Sequence, residues 1–142
     1  LAYIYPSKVR SRLYGINSLA HYLHSDVWEI SCYRASDTSH ADDFLKQIKK
    51  QYIVVDDSVG MYRPRVEFLA INERVQLLEE GKLPQGITHP YLEKEFKRMD
   101  EIGVTDIFES LMAMYEDTKD MKYQPTTLLK KKYLRNHRFV KL

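Results

Sequence analysis

The chain carries one cysteine, Cys32, so no internal disulfide framework can brace it, and a reducing, intracellular compartment suits it, the mitochondrion being one such setting. Its five glycines form no glycine-rich phosphate loop, and neither a GxSxG nucleophile elbow nor an HExxH zinc motif occurs. No apolar run approaches the ~20 residues of a bilayer-crossing helix, so no membrane span is expected. No secretory signal pattern, internal repeat or low-complexity stretch is visible. Acids are missing from both ends. Lys8, Arg10 and Arg12 precede the first one, Asp26, and after Asp120 every charged side chain is basic: Lys122, Lys130, Lys131, Lys132, Arg135, Arg138 and Lys141. That asymmetry, hidden beneath a net charge of +2, points to a polyanion or an acidic protein surface.

What is present describes a folded domain. The 142 residues are 44% apolar and 30% charged, a balance typical of a soluble globular chain with one core and an extension. Ala2 to Tyr5 reads as a weak strand stopped by Pro6. Ser7 to Tyr14 and Ser18 to His24 read as short helical pieces broken at Gly15. Val27 to Arg34 alternates, with Trp28, Ile30 and Cys32 on one face and Glu29 and Ser31 on the other, as in a half-buried strand. Ala41, Phe44, Leu45 and Ile48 have the spacing of an amphipathic helix. Tyr52 to Val55 reads as a strand ended by Asp56-Asp57-Ser58, and Met61 to Ile71 as a second strand that completes a hairpin through Gly60. Asn72 caps a short helix that stops at Gly81.

A helical hairpin follows. Leu92, Phe96, Met99 and Ile102 fall on one helical face behind Pro90, with Thr88 as the cap. Gly103 supplies a left-handed stop, and Thr105 caps a second helix. That helix carries Ile107, Phe108, Leu111, Met112, Met114 and Tyr115, an arc wide enough to be covered on more than one side. Its acids, Asp106, Glu109, Glu116 and Asp117, would repel a phosphate backbone, which rules against a DNA-reading helix-turn-helix.

The expected fold is α+β: a small mixed sheet with helices in thioredoxin-like or ferredoxin-like order, then an αα-hairpin and an extended basic C-terminal tail. Residues 1–87 would be the α+β body, 88–117 the hairpin packed on it and 118–142 the basic extension. Leu128, Leu129, Leu134, Phe139 and Val140 make no sustained periodic face. A segment this basic should need a partner to become ordered.

Candidate chemistry is thin. His21 and His24 with Asp26 and Cys32 offer ligand types for zinc but no four-ligand spacing. Asp56 and Asp57 end a strand as magnesium ligands often do, with Glu67 near enough in sequence to join them. Cys32 sits on an apolar face and suits packing better than reactivity. Arg63 and Arg65 would share one face of the Met61–Ile71 strand as a small basic surface. Lys130, Lys131, Lys132, Tyr133, Arg135 and Arg138 interleave cations with aromatics, and with Lys8, Arg10 and Arg12 they are the candidate nucleic-acid-binding residues.

These features lead to a non-enzymatic structural subunit of a larger assembly, a ribonucleoprotein such as an organellar ribosome. Other protein subunits and RNA would be its partners, and no cofactor or metal is called for. The alternatives are a protein-only adaptor or structural component of a viral or regulatory complex, and a small metal-dependent enzyme using Asp56 and Asp57.

Overall fold

The computed structural model describes residues 6–10, 13–17, 27–32, 38–83 and 90–140. The strand expected at 2–5, the helical piece at 18–24 with His21 and His24, Arg12 and the Thr88 cap lie outside them. In chain order the elements are α1 (Ser7–Arg10), β1 (Tyr14–Asn17), β2 (Val27–Cys32), α2 (Ser39–Gln47), β3 (Gln51–Val55), α3 (Arg63–Glu79), α4 (Pro90–Ile102), α5 (Val104–Thr118), a 3-10 turn (Met121–Tyr123) and α6 (Thr127–Leu134). The chain divides into two compact units, Leu1–Pro64 and Arg65–Leu142.

The first unit is built on a three-stranded mixed sheet in the order β1-β2-β3. β1 runs antiparallel to β2, with Ile16 opposite Ile30, while β2 and β3 are parallel, with Ile30 opposite Val54. The expected mixed sheet with helices is therefore present. Alternation along β2 sends Ile30 toward Ala41 and Leu45 of α2, where Tyr14, Trp28 and Tyr52 close the cluster. The opposite face departs from expectation. Glu29 and Ser31, read as solvent-facing, are 0% and 2% exposed. β2 is the middle strand and both its faces are covered, so alternation still sorts the side chains but no longer separates wet from dry.

The order of elements departs from the expected one at 61–71, where a turn at Met61 and Tyr62 leads into helix from Arg63. Beyond the first turn the buried residues are Phe68, Ile71, Asn72 and Val75, at i, i+3, i+4 and i+7, one face of an α-helix. Pro64 falls in the first turn, where a missing N–H costs nothing. The β-branched and aromatic residues at 61–71 had suggested a strand, but seventeen residues of helical periodicity override that local preference. Arg63 and Arg65 are accordingly not neighbours on a strand face.

The second unit packs α3 to α6. Phe96 and Met99 of α4, and Ile107, Leu111 and Met114 of α5, are buried. Two ion pairs join α3 to α4, Arg74 with Glu95 at 3.2 Å and Arg98 with Glu67 at 2.7 Å. Gly103 separates α4 from α5 with φ 104° and ψ 127°, a positive φ but not the left-handed helical region expected for it. Gly103, not Thr105, is the cap of α5, and no side chain caps that end.

The segment expected to be an extended tail is ordered by its own unit. Its 3-10 turn and α6 bury Tyr123 and Leu129, and Phe139 is buried beyond them. Three polar side chains hold its backbone. Asn72 donates to the carbonyls of Lys122 and Gln124, at 3.4 and 2.9 Å, and accepts from the Thr126 N–H at 3.1 Å. Glu79 accepts from the Leu128 N–H at 3.2 Å. Asp100 accepts from the Phe139 and Val140 N–H groups at 2.7 and 2.8 Å. Two aromatic stacks add to this, Phe96 on Phe139 and Phe108 on Tyr133. The segment lacks a periodic face because Tyr123, Leu129 and Phe139 each pack singly.

Candidate functional site

The most enclosed polar cluster among the described residues lies in the first unit, on the sheet face away from α2. β2 supplies Glu29 and Ser31, and the register sets Asn17 of β1 opposite Glu29. Glu29 Oε1 accepts from the backbone N–H of Arg63, the first residue of α3, at 2.7 Å. Its Oε2 accepts from Asn17 Nδ2 at 3.0 Å. Burying a carboxylate is costly unless donors replace water. Here an amide, a free helix-terminal N–H and the positive end of the α3 dipole do so together. Arg63 Nη1 also donates to the Val27 carbonyl at 3.4 Å, tying the start of α3 to the start of β2. Ser31 Oγ lies 3.5 Å from Asp57 Oδ1, at the long end of hydrogen-bonding range.

With each carboxylate oxygen engaged, Glu29 orients the groups around it. It fixes the rotamer of Asn17 and holds the backbone N–H of Arg63. Sequence alternation assigned it to solvent. The signal that finds it is the Arg63-Pro64 helix start, which leaves backbone donors in need of an acceptor.

A second polar group lies on the opposite face. The Lys46 ammonium and the Tyr52 hydroxyl both donate to Asp42, the latter at 3.1 Å. The hydrogen bond from Lys46, assisted by that from Tyr52, holds the Asp42 carboxyl below its usual range, and the same pair raises Lys46. Burial, then the bond to Asp42, raises Tyr52. The Lys46–Asp42 pair spans one turn of α2, as solvated helix pairs do.

Other sequence candidates are scattered. Asp56 and Asp57 are both exposed at the end of β3, and among the described residues no three His, Cys, Asp or Glu side chains group as metal ligands. Cys32 is half-buried and carries no disulfide. Arg65 packs on the Tyr123 ring and faces Asp117 at 3.8 Å. Lys8 is exposed on α1, which also contains Arg10. In the last segment Lys130, Lys131, Arg135 and Arg138 are exposed. Lys132 donates to the Arg138 carbonyl at 2.7 Å and covers the Phe139 ring, while Tyr133 donates to Glu109 at 3.2 Å. Its aromatics are thus spent on the protein itself. No helix among the described residues is long and apolar enough to cross a membrane.

No family model matches the sequence, and no curated protein is similar to it. Solved structures do resemble it. (S)-3-Hydroxybutyryl-CoA dehydrogenase PaaH1 from Ralstonia eutropha aligns with a TM-score of 0.74 and 19% identity over 92% of this chain and 53% of its own. M. tuberculosis FadB2 gives 0.74 and 16% over 89% of this chain and 48% of its own. The 3-hydroxybutyryl-CoA dehydrogenase of Escherichia coli K12 gives 0.66 and 20% over 86% and 27%. The chain has the fold of part of these proteins and spans about half of their length or less. The comparison overturns the reading as a non-enzymatic ribonucleoprotein or RNA-binding subunit, because the fold is one shared with part of these dehydrogenases. That reading rested on a basic tail in need of an outside partner, and its own unit holds that segment.

Proposed function

We propose that the chain is a portion of a dehydrogenase that acts on 3-hydroxyacyl-CoA thioesters. The observation that carries this reading is the fold likeness to 3-hydroxybutyryl-CoA dehydrogenases across nine-tenths of the chain. Because the chain spans about half of those proteins, the reading assigns it a share of the enzyme and leaves the whole reaction to the whole enzyme.

Such a reaction moves a hydride from the carbon bearing the 3-hydroxyl to a carrier, commonly a nicotinamide dinucleotide. A dinucleotide pyrophosphate is held by a glycine-bearing turn and the free N–H groups of a helix start. The described turn into α3 does not fit this role. It presents the exposed carboxylates of Asp56 and Asp57, and the Arg63 N–H is already given to Glu29. No step is therefore routed through a cofactor on these residues. What the first unit contributes is a buried carboxylate, Glu29, that joins β1 and β2 to the backbone N–H of Arg63.

Calorimetric titration of the chain with 3-hydroxybutyryl-CoA, acetoacetyl-CoA and butyryl-CoA tests the reading. Tighter binding of the two thioesters that carry an oxygen at the third carbon is the expected outcome. A chain that binds none of them, or binds all three alike, is not the substrate-recognising share of such an enzyme.

A further inference from the structure

The cations of this chain fall into two populations. Along α2 to α5 most are matched by an acid: Lys46 with Asp42, Arg65 with Asp117, Arg74 with Glu95, Lys97 with Glu93 and Arg98 with Glu67. On α6 and just beyond it, Lys130, Lys131, Arg135 and Arg138 are exposed, and among the described residues none meets a carboxylate. No acid follows Asp120 in the sequence. The acids that reach this segment from earlier helices, Glu79, Asp100 and Glu109, accept from Leu128, from Phe139 and Val140, and from Tyr133 rather than from these cations.

Lys131 and Arg135 stand one helical turn apart, where like charges repel. Lys131 in the last turn and Arg135 at the cap complement the helix dipole, but Lys130 precedes that turn and Arg138 lies past the helix, so the dipole does not account for the whole set. The backbone beneath them is fixed. The Arg138 carbonyl accepts from Lys132, and the next N–H, that of Phe139, is given to Asp100. Four exposed cations close together in the chain, on an anchored backbone, give a local positive potential that attracts a multiply charged anion.

We propose that Lys130, Lys131, Arg135 and Arg138 form a phosphate-binding face of the second unit that takes the phosphate groups of a CoA thioester. The assignment to CoA rests on the dehydrogenase reading above; the charge imbalance does not. The acidic ligand is a small nucleotide rather than a nucleic acid strand, because the aromatics that could stack on unpaired bases, Tyr133 and Phe139, are packed against Phe108 and Phe96.

The test is titration of the full chain, wild type and a Lys130→Gln/Lys131→Gln/Arg135→Gln/Arg138→Gln variant, at two salt concentrations. The probes are 3-hydroxybutyryl-CoA, the matching pantetheine thioester without the nucleotide, and inorganic pyrophosphate. The variant is expected to lose about tenfold or more in affinity for the CoA thioester and to show a flatter salt dependence, with pantetheine-thioester affinity unchanged. Equal CoA-thioester affinity and salt dependence in both proteins would overturn the inference and leave the dehydrogenase reading intact. If pyrophosphate binds the wild type alone while neither thioester binds either protein, the face takes free phosphoanions; the CoA assignment then falls together with the dehydrogenase reading. All four side chains are exposed, so the variant should melt as the wild type does. If it does not, Arg135→Gln alone is carried through the same titrations.

Discussion

Asp100 on α4 holds Phe139, thirty-nine residues further along, by accepting its backbone N–H at 2.7 Å. The neighbouring Val140 N–H reaches the other carboxylate oxygen at 2.8 Å. One side chain thus ends the last segment by reading its backbone, while Phe139 inserts beside Phe96 at a ring separation of 5.7 Å. Asp100→Ala should leave two backbone donors without this acceptor and destabilise the second unit by about 2 kcal/mol. Phe139→Ala should cost about 3 kcal/mol, since a buried aromatic leaves a cavity. Urea unfolding of the two variants and their double mutant checks this. Full additivity would mean that the carboxylate and the ring dock independently, contrary to the geometry.

The Glu29 junction gives a sharper contrast. Glu29→Gln keeps one acceptor oxygen for the Arg63 N–H, and a flip of the Asn17 amide turns its oxygen toward the new NH2 group. Its cost should be about 1 kcal/mol. Asn17→Asp offers no such escape, because it sets a second carboxylate beside a buried one. The expected destabilisation at neutral pH is about 3 kcal/mol or more. Equilibrium unfolding monitored by Trp28 fluorescence, on the same strand, would report both. Equal stabilities for the two variants would show that Glu29 is not held as the structure shows.

The sequence disclosed this junction only in part. Alternation along β2 sorted Trp28 and Ile30 from Glu29 and Ser31 correctly, since a strand's period is set by its backbone. Which residues of β2 would be covered was not legible, because the donors that meet Glu29, Asn17 and the Arg63 N–H, come from other parts of the chain, a long-range event. The same limit hid α3 itself. Met61 to Ile71 is rich in β-branched and aromatic residues, and a window ending at Ile71 misses Asn72 and Val75, which complete the helical face. The two helices around Gly103 were readable because their apolar spacing and the glycine break are local, whereas the cap of α5 was not: Gly103 takes the place expected for Thr105. The last segment misled for the opposite reason. Its charge is local and visible, while its anchors, Asn72, Glu79 and Asp100, lie on earlier helices.

Asp42 supplies a pH dependence. Its carboxyl lies below the usual range in the folded chain, chiefly through the hydrogen bond from Lys46 and then that from Tyr52. A depressed folded value means that its stabilising contribution is complete above the unfolded value, about 3.9. The contribution is lost as pH falls through the lower folded value. Thermal midpoints of wild type and Asp42→Asn should therefore differ at neutral pH and converge in strong acid. The difference is expected to be small and to shrink with added salt, because the pair is solvated. A gap that persists unchanged below the folded value would place its origin in packing rather than in the charge.

Two glycines with positive φ separate backbone demand from space. Gly81 has φ +70° and nothing within 4 Å of the place a Cβ would occupy. Gly81→Ala therefore meets only the left-handed penalty, about 1 kcal/mol. Gly103 has φ 104° with ψ 127°, a region that only glycine adopts with ease, and its added Cβ would approach Asp106 Oδ2 at 3.3 Å. Gly103→Ala should cost about 2 kcal/mol or more, and rotation of the Asp106 side chain relieves only the contact. The pair of double mutants with Asp106→Ala distinguishes these terms. Removing the Asp106 carboxylate should recover a minor part of the Gly103→Ala loss and none of the Gly81→Ala loss. Full recovery at Gly103 would mean that the α4–α5 turn tolerates the backbone conformation and that crowding alone selects glycine there.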